Sequence, residues 1–376
     1  MLMNTPSLSI LLVFTGLLAG CATNPKTGSP TLKDAYQDDF KIGVAINQKQ
    51  FTGEDTNGAA LIKAQFNSIS PENVLKWEII HPRPGENGYD FEPGDRYVDF
   101  GETNGMYIIG HTLIWHSQTP RWVFRDAIGR ALNGTNSADR ELLLKRMHDH
   151  IQTVVGRYKG RIQCWDVVNE ALNEDGTLRR SPWQRIIGDD YIEKAFQYAH
   201  EADPDAVLRY NDYSLENEPK RKGAIALIQK LQARGIPVTA IGSQSHVKMD
   251  WPALEQVDAT LSAFAKLGVK VMITELDVDL LGRSESADVA EMQREITSNV
   301  YSNGLPDAVQ QALARRYAGL FSVFVKHRKD IALVTFWGVS DGDSWLNRGR
   351  MNYPLLFRRD HKPSPAFDAV INTAHR

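Results

Sequence analysis

Eight short apolar runs, separated by segments with helical spacing, constrain the fold of this 376-residue chain more than any other feature. Each run is apolar almost throughout and does not alternate with polar residues. This pattern is typical of strands that are buried on both faces of a parallel sheet. Polar or turn residues bound each run, so the runs predict eight strands. Their ranges are 40–47, 66–69, 106–111, 162–169, 207–211, 239–244, 270–275 and 331–337.

Between the runs, apolar residues recur at the 3.6-residue period of amphipathic helices. Repeated strand-then-helix units predict an α/β fold of the (β/α)8 type, the TIM barrel, as a single catalytic domain over residues 32–376. An open doubly wound sheet is the alternative, but no phosphate-binding glycine motif follows the first run. The clearest helical stripes are Leu144, Met147, Ile151, Val154, Val155 and Tyr158; Ala224, Ile225, Leu227, Ile228 and Leu231; and Val309, Leu313, Leu320 and Phe324.

Polar or aromatic side chains mark the C-terminal end of every run. The carboxyl ends of barrel strands meet at one face, where the catalytic groups of this fold sit, so these side chains are predicted to share a cleft. In chain order they are Asn47; Glu72, Asn73 and Lys76; His111, Trp115 and His116; Asn169 and Glu170; Asn211 to Tyr213; Gln244 and His246; Glu275 and Asp277; and Trp337.

Two glutamates, Glu170 and Glu275, directly follow or end buried runs. An ionised carboxylate in that position loses hydration energy unless it is paired, hydrogen-bonded or protonated. A surface ion pair is the usual role of a glutamate, but placement at strand ends argues against it here. Paired carboxylates with separated pKa values indicate hydrolysis of a glycosidic bond.

Seven stretches carry a resemblance to a known family, the endo-β-1,4-xylanases of glycoside hydrolase family 10. They run in order through nearly the whole chain from about residue 38 onward. Any one stretch is a weak signal, whereas seven in order are specific. The stretches are FNSISPENVLKW (66–77), HTLIWHSQTP (111–120), WDVVNE (165–170), YNDY (210–213), IGSQSH (241–246), ITELD (273–277) and TFWGVSDGDSWL (335–346).

The resemblance implies retaining hydrolysis of β-1,4-xylosidic bonds by double displacement. Glu275 resembles the nucleophile, and Glu170 resembles the general acid that later acts as base. Asn169 is placed to donate a hydrogen bond to the sugar 2-hydroxyl. His246 resembles the family histidine that bonds the nucleophile, with Asp277 orienting its other ring nitrogen.

The same resemblance implies a binding cleft of amides, charges and flat aromatic rings, which together suit the hydroxyl edges and C–H faces of sugars. Gln118 and Trp345 match positions that crowd the C5 substituent, which favours a pentose. Tyr213 is expected on the leaving-group side. The expected binding set is Glu72, Asn73 and Lys76 on the glycone side, His111, Trp115 and Gln118 in the next subsite, and Tyr213, Gln244, Trp337 and Trp345.

Metals, cofactors and nucleic acids are not expected as ligands. The cluster of His148, Asp149 and His150 lies in a helical segment and predicts a solvated face with one buried ring. The chain has two cysteines, Cys21 and Cys164, without zinc spacing. A net charge of −3 and a pI near 6.4 give no basic footprint for nucleic acid. We expect a monomer whose partners are xylan and xylo-oligosaccharides.

The N-terminus predicts export. Residues 10–20 are apolar but too short to span a bilayer, and Leu18-Ala19-Gly20-Cys21 resembles the bacterial lipobox. We therefore expect a lipoprotein signal peptide at 1–20, a flexible tether at 21–31 and a lipid anchor at Cys21 in the outer membrane. Residues 1–20 contain no Lys or Arg, unlike most signal peptides. Periplasmic, secreted and cytoplasmic locations are the alternatives.

No second folded domain is expected between residues 32 and 376, and no linker to a carbohydrate-binding module is apparent. Short or soluble substrate is therefore expected. Two other functions stay open at this point. One is a related retaining glycosidase that acts on glucan, and the other is a non-catalytic carbohydrate-binding lipoprotein. The second requires the loss of Glu170 or Glu275, yet both are present.

Overall fold

A computed structural model describes residue 1 and residues 30–281 and 300–374. Nine strands are present in these ranges, and their pairings are all parallel. The strands are β1 (Lys41–Ile46), β2 (Ser68–Pro71), β3 (Tyr107–Gly110), β4 (Cys164–Asn169), β5 (Val207–Asp212), β6 (Ala240–Ser243), β7 (His246–Lys248), β8 (Lys270–Asp279) and β9 (Ile331–Phe336).

Eight of these strands close a barrel. Hydrogen-bonded neighbours follow the order β6-β5-β4-β3-β2-β1-β9-β8, and β6 also pairs with β8. Each predicted run contributes one barrel strand, so the predicted (β/α)8 barrel is confirmed. The active-site end of such a barrel is the face at the strands' carboxyl ends.

Helices surround the barrel. The three predicted apolar stripes lie in the helices Ser137–Arg157, Glu218–Ala233 and Asp307–Lys326, although Leu143 is buried where Leu144 was expected to be. The other helices are Leu32–Ala35, Gln48–Phe51, Thr56–Gln65, Trp77–Ile80, Glu92–Thr103, Pro182–Ile187, Tyr191–Ala202, Leu254–Ala265 and Pro365–Ala374, and 3-10 turns occupy Glu86–Gly88 and Arg121–Phe124.

Three strands extend beyond their predicted ends, β2 to Pro71, β5 to Asp212 and, by the largest margin, β8. β8 was expected to end at Glu275 and instead continues to Asp279, because Leu276 and Val278 are fully buried and keep the chain extended against its neighbours. The short β7 pairs with this extension, and His246 lies opposite Asp277 in the ladder. The extension therefore places the predicted histidine beside its predicted carboxylate.

The core has two parts. Most buried apolar side chains lie between the strands and the helices. A smaller group fills the barrel interior, and it includes Cys164, a buried free thiol. His150 is buried with its ring stacked on Trp77 at 3.6 Å, whereas His148 is exposed beside Asp149. This is the arrangement that the helical pattern predicted.

The predicted signal peptide at 1–20, Cys21 and most of the tether at 21–31 lie outside the described residues. Among the residues that the structure does describe, no helix combines the length and apolarity that a membrane span requires.

Candidate active site

A cleft at the carboxyl ends of the strands brings together most of the residues that the sequence singled out. The predicted residues that do not line it are Asn47, His116, Asn211, Asp212 and Asp277. Asp277 is fully buried beside His246. The lining residues are Glu72, Asn73, Lys76, His111, Trp115, Gln118, Asn169, Glu170, Tyr213, Gln244, His246, Glu275, Trp337 and Trp345.

Glu275 lies in β8 and is 5 % exposed. Its Oε1 accepts a hydrogen bond of 2.9 Å from Asn211 Nδ2, and its Oε2 lies 3.1 Å from His246 Nε2. On the other side of the imidazole, Nδ1 lies 3.0 Å from Asp277 Oδ2 as an ion pair. The three side chains form a line that ends at the cleft.

The charges of Asp277, His246 and Glu275 determine the protonation states of His246 and Glu275. Burial opposes a charged imidazole, but the charge and hydrogen bond of Asp277, together with Glu275, raise the pKa of His246 to about 9. Burial likewise opposes a charged Glu275, yet the hydrogen bond from His246 and the nearby histidine charges hold the pKa of Glu275 below its ordinary value. Glu275 is therefore an ionised carboxylate, as a nucleophile must be.

Asp277 also accepts a hydrogen bond from the cleft wall. Trp345 Nε1 donates to Asp277 Oδ2 at 2.7 Å, so this oxygen serves both Trp345 and His246. The Trp345 ring lies beside His246, with centroids 4.8 Å apart, and the Arg348 guanidinium lies 4.9 Å from its centre. The orientation of Trp345 is therefore fixed by several contacts.

Glu170 follows β4 and faces the same cleft. Its Oε2 accepts from Trp115 Nε1 at 2.8 Å, and its Oε1 accepts from Gln244 Nε2 at 3.0 Å. The backbone of Glu170 has φ 56°, a left-handed conformation that is uncommon outside glycine. Strain of this kind is typical of functional sites, where surrounding contacts hold the side chain in place.

Asn211 connects the two halves of the site; the sequence placed it at a strand end near the cleft but assigned it no catalytic or binding role. Its Nδ2 donates to Asn169 Oδ1 and to Glu275 Oε1, both at 2.9 Å, and Thr274 Oγ1 donates to its Oδ1. Because Asn169 Oδ1 is occupied, the Asn169 amide NH2 is left for the cleft. The position of Asn211 at the end of the fifth run, within YNDY, was the sequence feature that could have identified it as a site residue.

The residues expected on the glycone side form a polar wall. Lys76 Nζ donates to Asn73 Oδ1 at 3.1 Å and to Gln118 Oε1 at 2.9 Å, and lies 5.1 Å above the Trp115 ring. Burial and the charge of Asp343 raise the pKa of Glu72 to about 7, against the opposing effect of Lys76. Glu72 is therefore able to donate as well as accept near neutral pH.

Two cations that the sequence reasoning missed hold Tyr213. Arg179 Nη2 donates to Tyr213 Oη at 2.7 Å, and Arg179 Nε donates to the Glu170 carbonyl at 3.2 Å. Lys220 Nζ lies 3.3 Å from the Tyr213 ring centre and pairs with Asp212 at 3.1 Å. No sequence motif signals these contacts, because they join residues from separate loops and a helix.

Within the described ranges, no group of three or more His, Cys, Asp or Glu side chains is arranged to hold a metal ion.

Comparison with known proteins gives consistent matches. The profile of Glycosyl hydrolase family 10 matches residues 31–373. Endo-1,4-beta-xylanase A of Xylanibacter ruminicola is 42 % identical over 350 residues, which cover 91 % of this chain and 93 % of that protein. The Beta-1,4-xylanase of Dictyoglomus thermophilum is 41 % identical over 349 residues, covering 91 % of this chain and 90 % of its own.

Solved structures are similar over the same region. A GH10 endoxylanase retrieved from a sugarcane soil metagenome superposes with a TM-score of 0.84 at 43 % identity, covering 92 % of this chain and 99 % of its own. Xylanase XynB from Paenibacillus barcinonensis, complexed with a conduramine derivative, gives a TM-score of 0.80 at 37 % identity. The match covers 92 % of this chain and 99 % of the XynB chain.

Proposed function

The chain belongs to glycosyl hydrolase family 10, and from that premise we propose how its side chains divide the work of an endo-1,4-β-xylanase. The enzyme hydrolyses β-1,4-xylosidic bonds in xylan with retention of configuration. In the proposal, Glu275 is the nucleophile and Glu170 the acid/base. The observation that carries it is the pair of buried carboxylates facing one cleft, one of them held ionised by His246.

In the first step, Glu275 attacks the anomeric carbon while Glu170 protonates the departing glycosidic oxygen. The C–O bond to the leaving sugar breaks as the bond to the Glu275 carboxylate forms. The hydrogen bonds from Trp115 and Gln244 keep the Glu170 carboxyl directed into the cleft. Asn211 and His246 hold the two oxygens of Glu275 in place for attack.

In the second step, Glu170 accepts a proton from water as the water oxygen attacks the anomeric carbon. The bond between that carbon and the Glu275 carboxylate breaks. The Asn169 amide donates to the 2-hydroxyl, a contact that strengthens as positive charge develops at the anomeric carbon. The hydrogen bond from Asn211 supports this assignment because it leaves the Asn169 NH2 free to reach the sugar.

We propose that Glu72, Asn73 and Lys76 bind the glycone and that Tyr213 is the platform for the leaving group. Gln118 and Trp345 form the wall near C5. Support for a fixed wall comes from the bond between Lys76 and Gln118 and from the bond between Trp345 and Asp277. A rigid wall excludes a hydroxymethyl group more strongly than a mobile one, which favours xylosyl over glucosyl substrates.

The test of the catalytic roles is Glu275→Ala on an aryl xylobioside with added azide. Turnover of xylo-oligosaccharides should be nearly abolished while binding survives. Azide should attack the vacated face and give the inverted glycosyl azide, because the anomeric carbon is then displaced once and not twice. A retained glycosyl azide, or turnover like wild type, would overturn the role of Glu275. The same azide experiment on Glu170→Ala should give the retained product.

We also propose that residues 1–20 are a lipoprotein signal peptide and that Cys21 is lipidated, with residues 21–31 as a tether to the outer membrane. The tetrapeptide Leu18-Ala19-Gly20-Cys21 supports this. Cys21→Ser should move the enzyme from the membrane to the soluble fraction, or block processing, without changing the specific activity of the barrel. Unchanged membrane association, or a native protein that fractionates with cytosolic markers, would contradict the proposal.

We propose that the enzyme acts as a monomer, because a single chain supplies both catalytic glutamates and the residues expected to bind sugar. Light scattering coupled to size exclusion should give the mass of one chain. Activity per chain that rises with protein concentration would contradict it.

A further inference from the structure

Arg209 is a guanidinium in the barrel interior. It lies in β5, on the same face of the strand as Val207 and Asn211, and is 1 % exposed. Its neighbours include Met272, whose Sδ accepts a hydrogen bond of 3.0 Å from Nη1. A buried charge in this position is unfavourable unless a partner compensates it, and a barrel core is ordinarily filled by apolar side chains. The cationic side chain therefore calls for an explanation.

Asp166 is the compensating partner. Arg209 Nε donates to Asp166 Oδ1 at 2.6 Å and Nη2 donates to Oδ2 at 2.9 Å, which is a bidentate pair. Burial opposes the charge of Asp166, but Arg209 and the hydrogen bond with His111 lower the pKa of Asp166 to about 2. The carboxylate is therefore ionised at any working pH and can only accept hydrogen bonds.

The remaining contact of Asp166 leads to the cleft. Asp166 Oδ2 lies 3.0 Å from His111 Nδ1, and both groups are buried. Because the carboxylate only accepts, Nδ1 must carry a hydrogen and donate it. His111 lines the cleft and packs edge-on against Trp337, with centroids 5.4 Å apart. The imidazole edge that bears Nε2 is thus the one left for a sugar.

From this geometry we propose that Arg209 is a positioning residue that fixes the orientation of His111 in the sugar-binding cleft by holding Asp166 in one orientation. The inference rests on the proposed function for the role of His111 toward sugar. The two-pronged contact keeps the Asp166 carboxylate from rotating, so Oδ2 stays directed at Nδ1.

Three variants test the assignment. Arg209→Met removes both the positive charge and the two hydrogen bonds to Asp166. Arg209→Lys keeps the charge but cannot make the bidentate contact. Arg130→Met is the matched control. Arg130 makes an equally bidentate pair with Asp139, which is 4 % exposed, at 2.8 and 2.7 Å, and neither residue lines the cleft. Thermal unfolding shows which variants fold. Should Arg209→Met not fold, Arg209→Lys decides the matter.

The first readout is the ¹⁵N resonance pair of the His111 ring in protein labelled at histidine, assigned by its loss in His111→Asn. The proposal expects both ring shifts to move in Arg209→Met, to move less in Arg209→Lys, and to stay unchanged in Arg130→Met. This readout requires no turnover, so it stands even if the catalytic roles are wrong. Unchanged His111 shifts in a folded Arg209 variant would overturn the proposal.

The second readout is a double-mutant cycle on kcat/KM for an aryl xylobioside. Residues that act through one another are non-additive, whereas independent ones add. Arg209→Met should lower kcat/KM about tenfold in wild type and no more than about twofold in the His111→Asn background. Equal losses in both backgrounds would mean that Arg209 stabilises the barrel without acting through His111. If azide rescue of Glu275→Ala fails while this cycle is coupled, the catalytic assignment is at fault and the positioning role is not.

Discussion

Replacing Trp345 by Phe removes one hydrogen-bond donor and keeps an aromatic ring in the cleft wall. The lost bond is the 2.7 Å contact from Nε1 to Asp277 Oδ2, the oxygen that also faces His246 Nδ1. Asp277 Oδ1 has no hydrogen-bond partner in the part of the chain that the structure describes. Without Trp345, the carboxylate is therefore free to turn away from His246, which in turn positions Glu275.

The size of the effect follows from the chemistry of that bond. A hydrogen bond to a charged group contributes about 1.5 to 3 kcal/mol. About 1.4 kcal/mol corresponds to a tenfold change in rate. If the whole contribution serves to position the nucleophile, the loss in kcat/KM is between about tenfold and about a hundredfold. We expect the lower figure, because His246 still pairs with Asp277.

The assay is kcat/KM on aryl xylobioside for Trp345→Phe, with and without Asp277→Asn. The loss should be about tenfold alone and almost absent in the Asp277→Asn background. Trp337→Phe is the control, because it alters the same cleft. Among the described residues, no hydrogen bond joins Trp337 to Asp277. Its effect on kcat/KM should therefore be the same in wild type and in the Asp277→Asn background. The preference for xyloside over cellobioside should be retained in Trp345→Phe and should narrow in Trp345→Ala. An additive cycle would mean that Trp345 does not act through Asp277.

Three further predictions concern proton transfer and pH. Glu170→Ala should nearly spare the first step on an aryl xylobioside with an acidic phenol and abolish xylan hydrolysis; equal losses would exclude it as the acid. A bound sugar excludes water from Glu72, whose pKa is about 7, so binding favours the protonated form and KM should rise above about pH 7 in wild type but not in Glu72→Gln. His246, whose pKa is raised to about 9, becomes a neutral imidazole above that pH and can no longer donate to both Glu275 and Asp277, so kcat/KM should fall there; a flat profile to about pH 10 would contradict this.

Much of the fold was predictable because parallel barrel strands are buried on both faces. The continuous runs and the helical stripes between them record that burial directly. Strand ends were less accessible to prediction. The extension of β8 to Asp279 depends on the three-residue β7, which is too short to show a period in sequence.

The cleft was predictable to the extent that side chains follow strands. Arg179, Arg209 and Lys220 were missed because each acts on a partner that is distant in the sequence, as when Arg209 pairs with Asp166 across 43 positions. Arg209 carried a signal that was overlooked: a cation within the run 207–211 that was interpreted as apolar. A charged residue in a buried strand predicts a buried partner, even where sequence alone does not identify it.

Covalent trapping shows directly whether Glu275 is the nucleophile. A 2-deoxy-2-fluoro xylobioside with an acidic leaving group should form the glycosyl-enzyme and then release it slowly, because fluorine at C2 destabilises the oxocarbenium-like transition state. Peptide mapping by mass spectrometry should find one adduct, on the peptide that contains Ile273-Thr274-Glu275-Leu276. An adduct on Glu170, or none on protein that hydrolyses the parent xyloside, would contradict the account.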